Sequence, residues 1–438
     1  MNLKSSLRPV ASEQDLPPHW RVVDMGELLV LSQYGLSVRG NRTGTYPILR
    51  MNCQDEGEVT FRDLQFVELD HNSFKTFRLF PGDILFNRTN SHDLVGRTAI
   101  LREDRSAVFA SYLIRLRVDT SIADPEYVAY YLNSSDSQSA LKNLASRGVS
   151  QSNISASRLR GFRITLPSLA EQQTIASILS RLRDAIRVEQ KRLAVLCELK
   201  SATVARVFRE GVRGRGVKAT AVGEIPNDWD VLELRHLLRE PLRNGHSAPA
   251  VPSGSGIRTL TLTAVTKRDF SIRNTKITSA DATRVANLWL QPGDIFIERA
   301  NTFEMVGLAA LYRGPSAFAI FPDLLIRVRI DDRMIPAVLA EWLLTPYVRA
   351  YFQRHCSGAA TSMPKIDQGT IERTLIAVPP MEEQKAMCEL FATVDSRIDV
   401  ASKRLATLRE SFAVLIRQLL SGQLRVTPLL ENQPNAHA

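Results

Sequence analysis

The chain has 438 residues, 44% hydrophobic and 23% charged, with 56 Lys plus Arg against 46 Asp plus Glu, a net charge of +10 and a pI near 9.6. That length exceeds one ordinary domain and calls for two or three; the charge favours a polyanionic partner, nucleic acid first, beside the plainer reading of a merely basic protein. A membrane-spanning chain is excluded because no apolar run approaches ~18 residues, and a zinc or disulfide scaffold because Cys53, Cys197, Cys356 and Cys388 form no CxxC or Cys/His spacing.

In chain order, residues 1–15 form a polar extension without an apolar signal core, as expected of a cytoplasmic chain with scattered cysteines. A mixed unit follows over 16–165. Its β-rich runs include AVFASYLIRLRV from Ala107, and PEYVAYYLNS from Pro125 is helix-like. Residues 166–211 read as one long helix, with apolar residues at Ile175, Ile178, Leu182, Ile186, Leu193, Leu196 and Val207. The stretch 212–224, containing GVRGRG, reads as a flexible basic linker. A second mixed unit covers 225–377, with AFAIFPDLLIRVRI from Ala317 and IPAVLAEWLLT from Ile335. A second long helix over 378–422 carries Met387, Leu390, Val394, Ile398, Ala401, Leu405, Leu408, Phe412, Leu415 and Leu419 on steps of three and four, and 423–438 is a tail.

The two halves are one unit written twice. LPPHWRVVDMGELL from Leu16 answers IPNDWDVLELRHLL from Ile225. LFPGDILFNRTNSHDLVGRTAIL from Leu79 answers LQPGDIFIERANTFEMVGLAALY from Leu290. LPSLAEQQTIASIL from Leu166 answers VPPMEEQKAMCELF from Val378, and RLAVL at Arg192 answers RLATL at Arg404. The separation stays between 209 and 212 positions throughout. Gly211 and Gly422 end the helices, as helix C-termini prefer. Helices of about 40 residues are about 60 Å long, too long for their stripes to be covered by one small domain. The two are therefore expected to pack on each other, with packing on their own globular neighbours as the alternative. The first stripe is the weaker, with Glu189 and Lys200 where Ala401 and Phe412 stand.

Signatures of catalysis are missing. The Pro-Pro pairs are followed by His19 and Met381 rather than an aromatic residue. No Gly-Lys phosphate loop, GxSxG or HExxH occurs, and GVRGRG follows a helix rather than a strand.

Two mixed units, each with PGDI (Pro81, Pro292) and each followed by a long helix entered through LPSLAEQ or VPPMEEQ, resemble the specificity (S) subunit of type I restriction-modification systems. The resemblance runs from about Leu16 to Leu424. It implies an α+β fold in which two homologous target recognition domains are separated by two long helices packed as an antiparallel coiled coil, with pseudo-two-fold symmetry. It also implies a non-catalytic subunit that reads a bipartite, asymmetric site on double-stranded DNA, one half-site per domain. Two methyltransferase subunits would dock on the helices, with restriction-translocase subunits added through them. S-adenosylmethionine, ATP and magnesium would be bound by those partners, and no metal or cofactor by this chain. The rival readings are an autonomous sequence-specific DNA-binding regulator and, less supported, an enzyme in its own right.

Comparing the copies separates scaffold from reader. Pro81–Ile84 equals Pro292–Ile295, so this segment is expected to build a shared turn, with Gly82 and Gly293 at positive φ. After it stand Asn87, Arg88 and Asn90 in one copy, and Glu298, Arg299 and Asn301 in the other. Arg and Asn suit base edges or phosphates. The shared Arg88 and Arg299 are expected at phosphates, and the differing Asn87 and Glu298 at bases. Arg147, Ser150, Gln151 and Asn153, and Thr361, Ser362 and Lys365, form a second candidate set before each helix. Ordinary solvated loops are the alternative for both sets. Trp20 and Trp229 occupy matched positions, and core roles are expected over stacking on DNA.

Overall fold

The computed structural model describes residues 16–147, 151–214, 216–252, 256–358 and 363–426, Arg147 by its backbone only. Its internal contacts divide the chain into two units, Met1–Gln190 with Lys403–Ala438, and Lys191–Ser402. Each unit holds one globular repeat, part of the first long helix (Leu169–Glu210) and part of the second (Met381–Leu420).

In the first unit a central sheet runs in the order Leu29–Tyr34, Leu113–Val118, Ile84–Asn87, Thr98–Ile100, Glu58–Val59, Gln54–Asp55. Its strands are antiparallel except at Glu58, which pairs in parallel with Ile100. Ile84–Asn87 is buried along its whole length, which is why ILF reads as an unbroken apolar run. Helix Pro125–Asn133 starts at Asp124, whose side chain accepts the Tyr127 N–H, with Pro125 in its first turn. It turns Tyr127, Val128 and Tyr131 into the main core.

The second unit repeats this plan. Arg243–Asn244, Leu325–Val328, Ile295–Glu298 and Ala309–Leu311 form an antiparallel sheet in the same order, and Pro336–Trp342 again opens on proline. Each repeat also closes on itself. Arg21–Asp24 pairs with Arg163–Leu166, and Asp230–Glu233 with Leu375–Val378, so the start of each repeat lies beside the strand leading into its long helix.

Within each unit the two long helices pack antiparallel. In the first, Ile175, Ala176 and Leu179 share a core with Leu419 and Leu420, so early turns of one helix meet late turns of the other. In the second, Val207 and Phe208 share a core with Met387 and Phe391. Every expected seam residue is covered. Ile175, Ile186, Val394 and Leu405 are buried, and Ile178, Leu182, Leu193, Leu196, Ile398, Leu408, Phe412 and Leu415 are half-buried. The polar interruptions are paired: Glu189 lies 3.6 Å from Arg404, and Lys200 reaches Asp395 at 2.6 Å and Glu341 at 2.8 Å. Gly211 and Gly422 end the helices at φ +73° and +75°.

The stretch 212–224 differs from the flexible linker expected. Val217–Thr220 and Gly223–Pro226 form an antiparallel hairpin, because the alternating VKAT run can pair across the tight turn before Gly223.

Candidate nucleic-acid interface

The two PGDI turns are built alike. Gly82 and Gly293 sit at φ +90° and +93°, a region where a side chain is strained. The next residue, Asp83 or Asp294, is buried. Asp83 accepts the Phe80 N–H at 2.9 Å and both Nε and Nη2 of Arg117, at 2.7 and 2.8 Å. Asp294 accepts the Gln291 N–H at 2.9 Å, with Arg329 Nε and Nη2 at 2.5 and 3.1 Å. These bidentate pairs tie the turn to the adjacent strand, as a shared scaffold should.

Beyond the turn, the structure joins the two candidate segments that lie apart in sequence. Thr89–Asn90, Ser152–Asn153 and Ser146–Arg147 form one small antiparallel sheet, in which Asn153 sits opposite both Thr89 and Ser146. In the second unit Lys365 sits opposite both Ala300 and Ser357. The backbone bond from Ile154 N–H to Arg88 O, 2.9 Å, recurs from Ile366 N–H to Arg299 O, 2.9 Å. One backbone frame thus carries different side chains in the two units.

Individual residues fall in three groups. Asn87 and Glu298 depart from expectation: at 1% and 0% exposure they present no edge to a duplex. They end an interior strand that is buried on both faces, so its last side chain is covered whichever way it points. Arg88, Asn90, Asn153, Arg299 and Asn301 are partly exposed, and Gln151 and Lys365 exposed, along the small sheets. Ser150, Thr361, Ser362 and the Arg147 side chain lie outside the described residues.

Arg88 is held in place. It donates to Ser111 O and Asn153 Oδ1, both at 3.3 Å, and its guanidinium lies 4.7 Å from the Tyr34 ring centroid. Arg299 has no side-chain hydrogen bond or ion pair among the described residues. Asn90 and Asn301 each turn Oδ1 to the next backbone N–H, 2.8 Å in both. Burial pushes the Glu298 carboxyl up, against hydrogen bonds from Thr266 and Asn301 and the charge of Arg349. Sequence reasoning passed over Tyr34 and Tyr112, exposed beside Arg88, and Phe303 and Met363, exposed beside Asn301 and Lys365. For Phe303 and Met363 the available signal was a large apolar side chain within two positions of a polar candidate; Tyr34 and Tyr112 meet Arg88 only through the fold.

The Glu-Gln pair that opens each long helix fastens helix to recognition fold. Gln172 donates to Pro167 O at 2.9 Å and Ile122 O at 3.2 Å, and accepts the Asp124 N–H at 2.9 Å. Gln384 donates to Pro379 O at 2.8 Å and Arg333 O at 2.9 Å, and accepts the Ile335 N–H at 2.7 Å. Glu383 accepts Trp229 Nε1 at 3.1 Å and the Val212 N–H at 2.8 Å, while Glu171 takes Arg425 at 3.1 Å. Both tryptophans are buried, as expected of core residues. In the first unit Glu58 gathers Arg102, Arg183 and Arg187, each at 3.0 Å, so recognition fold and helix are also joined by charge. Among the described residues no group of His, Cys, Asp and Glu is placed to hold a metal, and no helix is long and apolar enough to cross a membrane.

Residues 19–198 match the family model of the type I restriction modification DNA specificity domain. The chain is 26% identical over 424 residues to the putative type I restriction enzyme MjaX specificity subunit of Methanocaldococcus jannaschii, covering 94% of this chain and 95% of that one. It is 24% identical over 438 residues to the type I restriction enzyme EcoKI specificity subunit of Escherichia coli, covering 94% and 91%. Its fold is similar to the crystal structure of the type I restriction-modification S subunit from M. genitalium, with TM-score 0.57 at 14% identity over 94% of this chain and 98% of that one. A second solved chain, from work on type I R-M complex assembly and conformational transition, gives TM-score 0.52 at 17% identity, covering 93% and 99%.

Proposed function

We propose that this chain, similar to type I restriction enzyme specificity subunits over 94% of its length, is a non-catalytic reader of double-stranded DNA, each repeat taking one half of a bipartite, asymmetric site. The observation that carries the reading is one backbone frame bearing two sets of side chains. Asn153 stands where Lys365 stands, Tyr34 where Asn244 does, and Tyr112 where Leu324 does, at matched pairing positions. A conserved frame with divergent side chains suits two units that grip the same backbone and read different bases. The net charge of +10 supplies the sequence-independent attraction to phosphate.

The long helices would be the docking surface for two methyltransferase subunits and, through them, restriction subunits. S-adenosylmethionine, ATP and magnesium would serve in those partners.

Methylome sequencing of the native host, with and without this gene, tests the reading. The expected result is a gene-dependent motif of two unlike halves around an unspecified gap. Exchanging residues 16–165 for the matching unit of another such chain should change one half only. A continuous motif, or a change in both halves together, overturns it.

A further inference from the structure

Glu298 and Asn87 occupy the same place, the inner end of the strand that leads into the small sheet. Glu298 does not touch the surface, yet its carboxylate is committed to a group that does. Oε2 accepts Asn301 Nδ2 at 2.6 Å, and Oε1 accepts Thr266 Oγ1 at 2.6 Å. Asn301 Oδ1 accepts the Thr302 N–H at 2.8 Å. Both ends of the Asn301 amide are therefore fixed, and the amide cannot flip without breaking two hydrogen bonds.

Asn90, the counterpart, has only the Oδ1 anchor, from Ser91 at 2.8 Å, and its Nδ2 has no partner among the described residues. Asn87, in the place of Glu298, does not supply the missing acceptor: its Oδ1 is buried and takes no hydrogen bond, from Asn90 or any other described residue. The two recognition asparagines thus differ in freedom because of the buried residue three positions before each. Reading an adenine edge takes both ends of an asparagine amide at once, and a guanine or pyrimidine takes a different donor-acceptor order. A locked amide offers one order, and a loose one tolerates several.

We propose that Glu298 is a positioning residue for base specificity, narrowing the bases accepted by Asn301 while never contacting DNA. The proposal rests on the DNA-reading function above. It makes the second unit the stricter reader at this position and the first unit the more tolerant one.

The test is selection of duplexes from a random library by the full-length chain, in the complex purified with its partners, for wild type, Glu298→Gln and Asn301→Ala. Gln keeps the shape but loses the carboxylate that binds the two donors. The expected result for Glu298→Gln is a tenfold or greater loss of base preference at one position of one half-site, the same position that Asn301→Ala flattens. The other half-site and the melting temperature of the first unit should stay as in wild type. Thr266→Val, which removes one anchor of Glu298 without altering charge, should flatten the same position more weakly, and serves if Glu298→Gln fails to fold. An unchanged preference in Glu298→Gln or Thr266→Val while Asn301→Ala flattens it overturns the positioning role and leaves the DNA-reading function standing. Wild-type base preference in Asn301→Ala overturns Asn301 as a base reader, and the positioning role with it, while a bipartite motif selected by the wild type leaves the DNA-reading function standing.

Discussion

Arg117 closes both Nε and Nη2 onto the two carboxylate oxygens of buried Asp83, at 2.7 and 2.8 Å, and Arg329 makes the corresponding pair with Asp294 in the other repeat. Asp83 also accepts the Phe80 N–H, so a single side chain holds the turn, the strand and the interior end of the sheet. Removing it leaves a guanidinium and an N–H without their acceptor. Breaking a fully buried pair costs about 3–5 kcal/mol. Because Arg117 keeps 34% exposure, Asp83→Ala should cost about 2 kcal/mol, read as a lowered midpoint in urea unfolding of the first unit. Asp83→Glu should not rescue it, since the longer side chain misses the bidentate geometry.

Gln384 offers a sharper local readout. Gln384→Ala strips the Ile335 N–H of its acceptor and two carbonyls of their donor. The loss should be about 2–3 kcal/mol. Hydrogen exchange should accelerate at Ile335 well before it does in the sheet of the same unit.

Glu171 and Arg425 link the strand-to-helix junction of the first unit to the segment after the second helix. Burial raises the Glu171 carboxyl, but the Arg425 hydrogen bond and charge, the Ser168 N–H and His19 outweigh it and hold the carboxyl below its usual value. A depressed folded value means that the pairing stabilises above the ordinary carboxylate range and fades as pH falls through the folded value. Arg425→Ala should lower the melting temperature at neutral pH, and the difference from wild type should shrink at acid pH.

The helix seam should respond unequally. Leu405 is buried at 7% exposure, whereas Leu193 is half-buried. Truncating a packed leucine costs about 2–5 kcal/mol, so Leu405→Ala should fall in that range and Leu193→Ala below it. Chemical denaturation followed in each unit separately checks the order.

Arg88 and Arg299 are aligned by sequence but differently employed. Arg299→Ala should leave stability unchanged and reduce the slope of log affinity against log salt by about 0.9, the value of one phosphate contact. Arg88→Ala should weaken binding and also lower stability, because it removes the bonds to Ser111 and Asn153 and the contact with Tyr34. A shifted base preference with an unchanged salt slope in Arg299→Ala would make that arginine a base reader.

Some of this molecule was determined by sequence alone. The duplication, the long helices with their seams and the shared PGDI turn are local or periodic features. A 3.6-residue period, a glycine at positive φ and a repeated string need no knowledge of what lies across the fold. The Glu-Gln at each helix entry was visible as a motif, but two of the three bonds of each glutamine run to partners 48 to 51 positions away, which no local pattern encodes. Tertiary structure alone decided which polar residues face outward. Asn87 and Arg88 are neighbours in the chain, yet the first ends a strand buried on both faces and the second stands just beyond it, partly exposed. It also brought Asn153 beside Thr89 across 64 positions. A binding surface assembled from distant segments exists only once the sheet has formed, because strand pairing, rather than residue type, determines which side chains stand together.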